Sequence, residues 1–183
     1  MNKVRAGIVG LGKWAEAIAA AVARSDGVET AACVSSSPET AAAFAEKHGC
    51  APSETYEALL ADPSIEAVLI TSANHQHAAH AMAAARAGKH VFVEKPIATT
   101  VPDAHRVIDA CERAGVVLAT GQMARRMTAV RNMKSMMEAG TLGEVVMAEA
   151  NFSYPTGYNI TPDNWRWSNA TCPGGSRFVR ACQ

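Results

Sequence analysis

Short apolar runs alternate with alanine-rich helical stretches along the first 120 or so residues. Val4–Val9 is apolar and bounded by glycine, the pattern of a buried parallel strand. Trp14–Arg24 is dense in helix formers, and Ser25-Asp26-Gly27 ends it. Glu29–Val34 predicts a second strand, and Pro38–His48 a second helix with proline in its first turn and Gly49 just past its end. Tyr56–Ala61 predicts a short helix stopped by Asp62-Pro63, and Ala67–Thr71 a third strand. His77–Ala87 is helical up to Gly88, and His90–Val93 is a fourth short strand. Val101–Ala114 is a helix closed by Gly115, and Val116–Thr120 is another strand. The elements alternate with no hairpin signal, which predicts βαβ crossovers and a doubly wound, mostly parallel sheet covered on both faces.

The pattern changes after Gly121. Thr128–Ala139 predicts a methionine-rich helix ending at Gly140, and Met133, Met136 and Met137 read as core filler. Gly143–Tyr154 alternates like a half-buried strand, with Val146, Ala148, Ala150, Phe152 and Tyr154 on one face and Glu149, Asn151 and Ser153 on the other. The division expected is one domain over 1–121 and, over 122–183, the incomplete beginning of a second domain built on an antiparallel sheet.

Composition narrows the partners. The 183 residues are enough to bury one domain's core or slightly more. The 17 Lys and Arg balance the 17 Asp and Glu, so charge recommends neither nucleic acid nor an anionic membrane, and a small-molecule substrate is expected. Five scattered cysteines, Cys33, Cys50, Cys111, Cys172 and Cys182, point to reduced thiols in a cytoplasmic protein rather than a disulfide framework or zinc cage. Val4–Val9 is too short for a signal peptide, and no apolar run reaches the roughly 20 residues that span a bilayer.

Candidate chemistry lies where the predicted strands end. Gly10-Leu11-Gly12-Lys13-Trp14-Ala15 joins the first strand to the first helix. One glycine permits the tight turn, the next lets a pyrophosphate approach the backbone, and small Ala15 lets helix and strand pack closely. The phosphate charge would lie against free N–H groups at the helix start. The second strand ends at Ser35-Ser36-Ser37, roughly 20–25 residues past the glycine turn, where an NAD site usually carries an acid. The nearest acid, Glu39, lies beyond Pro38. Three hydroxyls there suit a 2′-phosphate and favour NADP over NAD, although no arginine sits beside them and the serines also serve as helix caps.

After the third strand comes Ser72-Ala73-Asn74-His75-Gln76-His77-Ala78-Ala79-His80. A zinc hydrolase with this H-x-H spacing would carry an acid where Ala79 stands, so no metal is expected, and the loop is read as facing a cofactor crevice. For His80 and His105 a surface position with no role stays open. Glu94-Lys95-Pro96 closes the fourth strand. An ammonium at that strand end can polarise a carbonyl or hydroxyl oxygen beside a nicotinamide, with Glu94 holding it and Pro96 setting the turn through a cis bond.

With these residues in place, the chain resembles the glucose–fructose oxidoreductase / inositol dehydrogenase / rhizopine-catabolism family (Gfo/Idh/MocA) from about Val4 to Gly175. The motifs that carry the resemblance are the glycine loop, Asn74-His75-x-His77, Gly88-Lys89-His90-Val91, Glu94-Lys95-Pro96, Gly121 with Arg125-Arg126, and Gly140-Thr141-Leu142-Gly143-Glu144-Val145. The resemblance implies an NAD(P)-dependent oxidoreductase of sugars, polyols or related cyclic compounds. Its fold would be an N-terminal Rossmann domain followed by an α/β substrate domain with an open antiparallel sheet. By the same resemblance Lys95 is the catalytic residue at the substrate oxygen. Gly10, Gly12, Lys13, Trp14, Ala15, Ser35, Ser36, Ser37, Ser72, Asn74, His77, Glu94 and Pro96 bind cofactor, and Arg126, Trp165 and Arg166 join Lys95 around substrate. Full-length relatives also imply a homo-oligomer.

The chain departs from the family at Ser72-Ala73-Asn74, where Thr-Pro-Asn is usual, and at Ser36, where an arginine is common. After Pro173-Gly174-Gly175 the family continues with an apolar run, an Asp-x-Gly-x-His segment and later an Asp-x-x-x-His pair that moves the proton. This sequence reads Ser176-Arg177-Phe178-Val179-Arg180-Ala181-Cys182-Gln183, so a C-terminally truncated member is expected. Two functions stay open: an oxidoreductase transferring a hydride, and a non-catalytic dinucleotide-binding fragment or pseudoenzyme.

Overall fold

The computed structural model describes residues 3–151 together with 161, 164, 167, 168, 171 and 172. Two compact units divide the chain, Met1–Gly121 and Gln122–Gln183. In the first, β1 (Val4–Val9), α1 (Lys13–Val22), β2 (Val28–Val34), α2 (Pro38–His48), β3 (Ala51–Pro52), α3 (Tyr56–Ala61), β4 (Ala67–Ile70), α4 (His77–Arg86), β5 (His90–Val93), α5 (Val101–Ala114) and β6 (Leu118–Thr120) follow one another. A single turn of 3-10 helix, Asn74–Gln76, precedes α4. All six strands are parallel, in the order β3-β2-β1-β4-β5-β6. The path runs outward one way from β1 and then the other way from β4, so β1 and β4 flank the switch point where such sheets bind ligands at their carboxyl ends.

Strand alternation sorts the core into two layers. Val9, Val68, Ile70, Val91 and Val93 pack with Ala81, Ala84, Val107 and Cys111 of α4 and α5. Ala6, Ile8, Cys33 and Leu69 pack with Ala15, Ala19 and Phe44 of α1 and α2. Neighbouring residues of one strand, such as Val68 and Leu69, thus serve opposite faces, which is why the central strand β4 reads as apolar throughout. Leu59 nests against Gly7, where an added Cβ would lie 2.7 Å from its methyl carbon.

Local signals set the helix ends. Ser37, Thr55 and Thr100 cap α2, α3 and α5 by accepting the backbone N–H of Thr40, Ala58 and Asp103. Gly49 and Gly115 close α2 and α5 at φ 67° and 66°. The sequence pattern did not reveal β3. At two residues it is too short for any period, and Pro52 is tolerated because β3 is an edge strand.

Two expectations for the second unit are corrected. The helix α6 forms at Thr128–Glu138, but Met133, Met136 and Met137 are exposed and no residue of α6 is buried. The apolar stripe tells which face seeks cover, and no described residue supplies that cover. The expected strand at Gly143–Tyr154 is not formed over Gly143–Asn151, where backbone pairing to a neighbouring strand is absent among the described residues. Phe152 and Tyr154 lie outside the described residues. The four described cysteines are thiols. No helix among the described residues is long and apolar enough to cross a membrane.

Candidate active site

Four loops leave the carboxyl ends of adjacent strands β2, β1, β4 and β5. The first is the glycine turn after β1. Gly10 takes φ 88°, and a Cβ there would overlap the backbone of Ser72, so only glycine fits this approach of two loops. Thr71 ties the same loops together, its hydroxyl donating to the Gly10 carbonyl at 2.7 Å and to that of Val9 at 3.0 Å. Gly12 differs. Its φ is −95° and a Cβ would meet nothing within 4 Å, so nothing in the protein demands glycine there. It is also the N-cap of α1, which no side chain caps. The amides of the first turn, from Lys13, Trp14 and Ala15, therefore face an open space of the kind a pyrophosphate fills. Ala15 is fully buried under the helix, while Lys13 and Trp14 are exposed.

After β2 the serines are partly engaged with each other. Ser35 Oγ accepts the Ser37 N–H at 3.2 Å, and Ser37 Oγ accepts the Thr40 N–H at 3.2 Å. Ser37 also donates to the Glu39 carboxylate at 2.8 Å. Ser36 is exposed. Glu39 reaches back over the turn, which sequence order did not suggest. Its own backbone N–H and the Ser37 hydroxyl hold its pKa below the usual carboxylate value.

The loop after β4 is held from inside. Asn74 is buried, and His77 is only 1% exposed. His77 Nδ1 lies 2.6 Å from the Pro96 carbonyl oxygen, and its Nε2 lies 2.9 Å from the Ser72 carbonyl oxygen. His80, which the sequence leaves open to a surface position without a role, has Nδ1 2.9 Å from Ser72 Oγ and packs against Tyr56 with the ring planes tilted by 53°, and the Tyr56 hydroxyl donates to the His80 carbonyl at 2.9 Å. Burial pushes both histidines below the ordinary imidazole pKa. A lone i, i+3 spacing on an alanine-rich helix carries no hint of this. The clue lay in the combination of Ser72 before the helix and Tyr56 upstream.

After β5, Glu94 and Lys95 are 8% and 7% exposed, and the Lys95–Pro96 bond is cis. The Glu94 carboxylate accepts the Lys95 backbone N–H at 3.2 Å. Burial raises the Glu94 pKa, while that N–H and the Lys95 charge oppose the rise. Gly121 lies against Glu94, since a Cβ there would sit 2.8 Å from the carboxyl carbon. Two charged side chains are therefore held out of water at one strand end, an arrangement typical of functional sites.

Of the remaining sequence candidates, Arg126 is exposed in the second unit, and Trp165 and Arg166 lie outside the described residues. Among the described residues no three His, Cys, Asp or Glu side chains converge as a metal site would require. In the sequence Lys89 stands out only as part of Gly88-Lys89-His90-Val91. Its buried ammonium donates to the Asp62 and Ile65 carbonyls, both at 2.8 Å, and so fastens the turn after α3.

Comparison with known proteins agrees with this geometry. Residues 4–122 match the oxidoreductase family with an NAD-binding Rossmann fold (Gfo/Idh/MocA), and residues 130–179 match a Gfo/Idh/MocA C-terminal domain. The 1,5-anhydro-D-fructose reductase of Ensifer adhaerens is 37% identical over 79% of this chain and 44% of its own length. An uncharacterized oxidoreductase of Rhizobium meliloti is 35% identical over 97% of this chain and 53% of its own. The chain thus spans about half the length of such curated relatives, or less. A solved structure from Desulfitobacterium hafniense superposes with a TM-score of 0.91 at 37% identity, covering 97% of this chain and 51% of that one. A 3-ketoreductase from Actinomadura kijaniata, solved with NADP and TDP-benzene, gives 0.73 at 31% identity over 78% of this chain and 44% of that one. A switch point with a glycine turn that no side chain caps after β1 and a buried lysine after β5, joined to these matches, places the chain in the Gfo/Idh/MocA oxidoreductase family.

Proposed function

We propose that this chain binds NADP, or NAD, across the switch point and that the whole protein uses it to interconvert a carbinol and a carbonyl on a sugar-related substrate. The bound nicotinamide supplies or accepts the hydride. The observation that carries the reading is the contrast between the glycines: Gly10 is required by the fold, whereas Gly12 and the start of α1, which no side chain caps, leave room and free amides for a pyrophosphate. Gly12 and the amides of Lys13, Trp14 and Ala15 hold the pyrophosphate, and the Ser35–Ser37 turn takes the adenosine ribose end. Asn74, Ser72 and the Glu94–Pro96 turn line the other half.

Lys95 then orients the substrate oxygen and donates a hydrogen bond to it, which stabilises the negative charge that grows there as the carbinol proton passes to water. The buried setting strengthens that bond relative to water. Glu94, fixed to the Lys95 backbone and packed on Gly121, keeps the turn in register. The sugar class follows from relatives named as an anhydrofructose reductase, an inositol 2-dehydrogenase and a levoglucosan dehydrogenase.

The test titrates the 183-residue chain with NADPH and NADH, then follows reduced-nicotinamide absorbance with a panel of keto-sugars, sugars and polyols. Expected are tighter binding of NADPH and turnover that Lys95→Met lowers by roughly 10²–10³-fold. Coenzyme binding with no turnover on any substrate would leave a dinucleotide-binding module. Failure to bind either coenzyme would refute both readings.

A further inference from the structure

His77 is a buried imidazole whose place neither the glycine turn nor Lys95 accounts for. A residue needed only to fill that volume would be apolar, because burying an imidazole costs solvation. Both of its ring nitrogens instead point at main-chain carbonyl oxygens, which can only accept. These carbonyls belong to the loops that leave β4 and β5. Ser72 is the residue packed against Gly10, and Pro96 directly follows Lys95. A neutral ring donates from one nitrogen, and the shorter contact, 2.6 Å to Pro96 against 2.9 Å to Ser72, is the basis on which the proton is assigned to Nδ1. The ring itself is braced, because His80 holds the Ser72 hydroxyl and Tyr56 holds the His80 carbonyl.

We propose that His77 is a positioning residue that fixes Lys95 by donating Nδ1–H to the Pro96 carbonyl. The proposal rests on the reading of Lys95 given above, but the contact it depends on is independent of any coenzyme. Without that donor the Pro96 carbonyl is buried and unpaired, and the turn reorients toward water and carries the lysine with it.

Two isosteres separate this role from packing. In His77→Asn the amide nitrogen stands where Nδ1 stood; in His77→Gln it stands where Nε2 stood. Each variant is acetylated with an N-hydroxysuccinimide ester and the labelling of Lys95 is mapped by peptide mass, with exposed Lys13 as the internal standard. Lys95, 7% exposed, is expected to label slowly in the parent protein. His77→Gln is expected to speed Lys95 labelling about tenfold, equivalent to about 1.4 kcal/mol of lost protection, and to lower kcat while leaving KM for coenzyme near the parent value. His77→Asn is expected to restore both protection and kcat. Equal behaviour of the two variants, whether both protected, both labelled or both unfolded, would overturn the proposal and make His77 a packing residue. Absence of NADPH binding in the parent would refute the proposed function while the labelling pattern still judges His77.

Discussion

Replacing each glycine of the first turn by alanine separates what the fold needs from what the ligand needs. At Gly10, alanine meets two penalties. The residue sits at φ 88°, a left-handed conformation that costs a non-glycine residue about 1–2 kcal/mol. Its Cβ would also overlap the Ser72 backbone, and forcing such an overlap costs about 1–3 kcal/mol as β1 and the β4 loop are pushed apart. The sum, about 2–5 kcal/mol, is a large part of the roughly 5–15 kcal/mol that holds a domain together. At Gly12 neither penalty applies, because φ is −95° and the space is open. The remaining cost is that of alanine as an N-cap, within about 1 kcal/mol. The same methyl would stand where the pyrophosphate meets the helix start. Urea unfolding without coenzyme should therefore show Gly10→Ala strongly destabilised and Gly12→Ala close to the parent. NADPH titration should show Gly12→Ala weakened by tenfold or more. Parent-like affinity in Gly12→Ala, or parent-like stability in Gly10→Ala, would refute the reasoning.

Three further outcomes follow from the site. Gly121→Ala should displace the Glu94 carboxylate, lowering stability by about 1–3 kcal/mol and reducing turnover; a crystal structure with Glu94 unmoved would contradict this. His77 and His80 are both held below the ordinary value of 6.5 by burial, so in the window beneath it the unfolded chain binds more protons than the folded one. Stability should be full above about pH 6.5 and fall as pH drops through that window, with a shallower slope in His80→Gln; a flat urea-midpoint profile would exclude it. Glu39 is an ionised carboxylate beside the serines proposed to meet the 2′-phosphate. Glu39→Gln should tighten NADPH and leave NADH unchanged, and equal effects on the two coenzymes would show that the 2′-phosphate lies elsewhere.

The alternation of strands and helices was legible because the central strands are buried on both faces and the helices between them carry their own start and stop signals. Val4–Val9, Pro38–His48, Tyr56–Ala61, His90–Val93 and Val101–Ala114 all lie where the pattern put them. Glycine spacing likewise marked the turn after β1, since backbone freedom is a property of residue type. The second unit shows the limit. The methionine stripe of α6 and the alternation after Gly143 record which faces are apolar, and whether such a face is covered depends on partners that a local pattern does not name.

The sequence by itself determined the parallel sheet, its crossovers and the strand ends at which Gly10, Ser35, Ser72 and Lys95 fall, because period and punctuation are local. Only tertiary structure decided how those ends meet. Gly10 against Ser72, Glu39 turned back onto Ser37, His80 on the Ser72 hydroxyl, and His77 between Ser72 and Pro96 are contacts between segments brought together by packing. Side-chain direction and buried hydrogen-bond satisfaction select them, and neither is written in the order of residues along the chain.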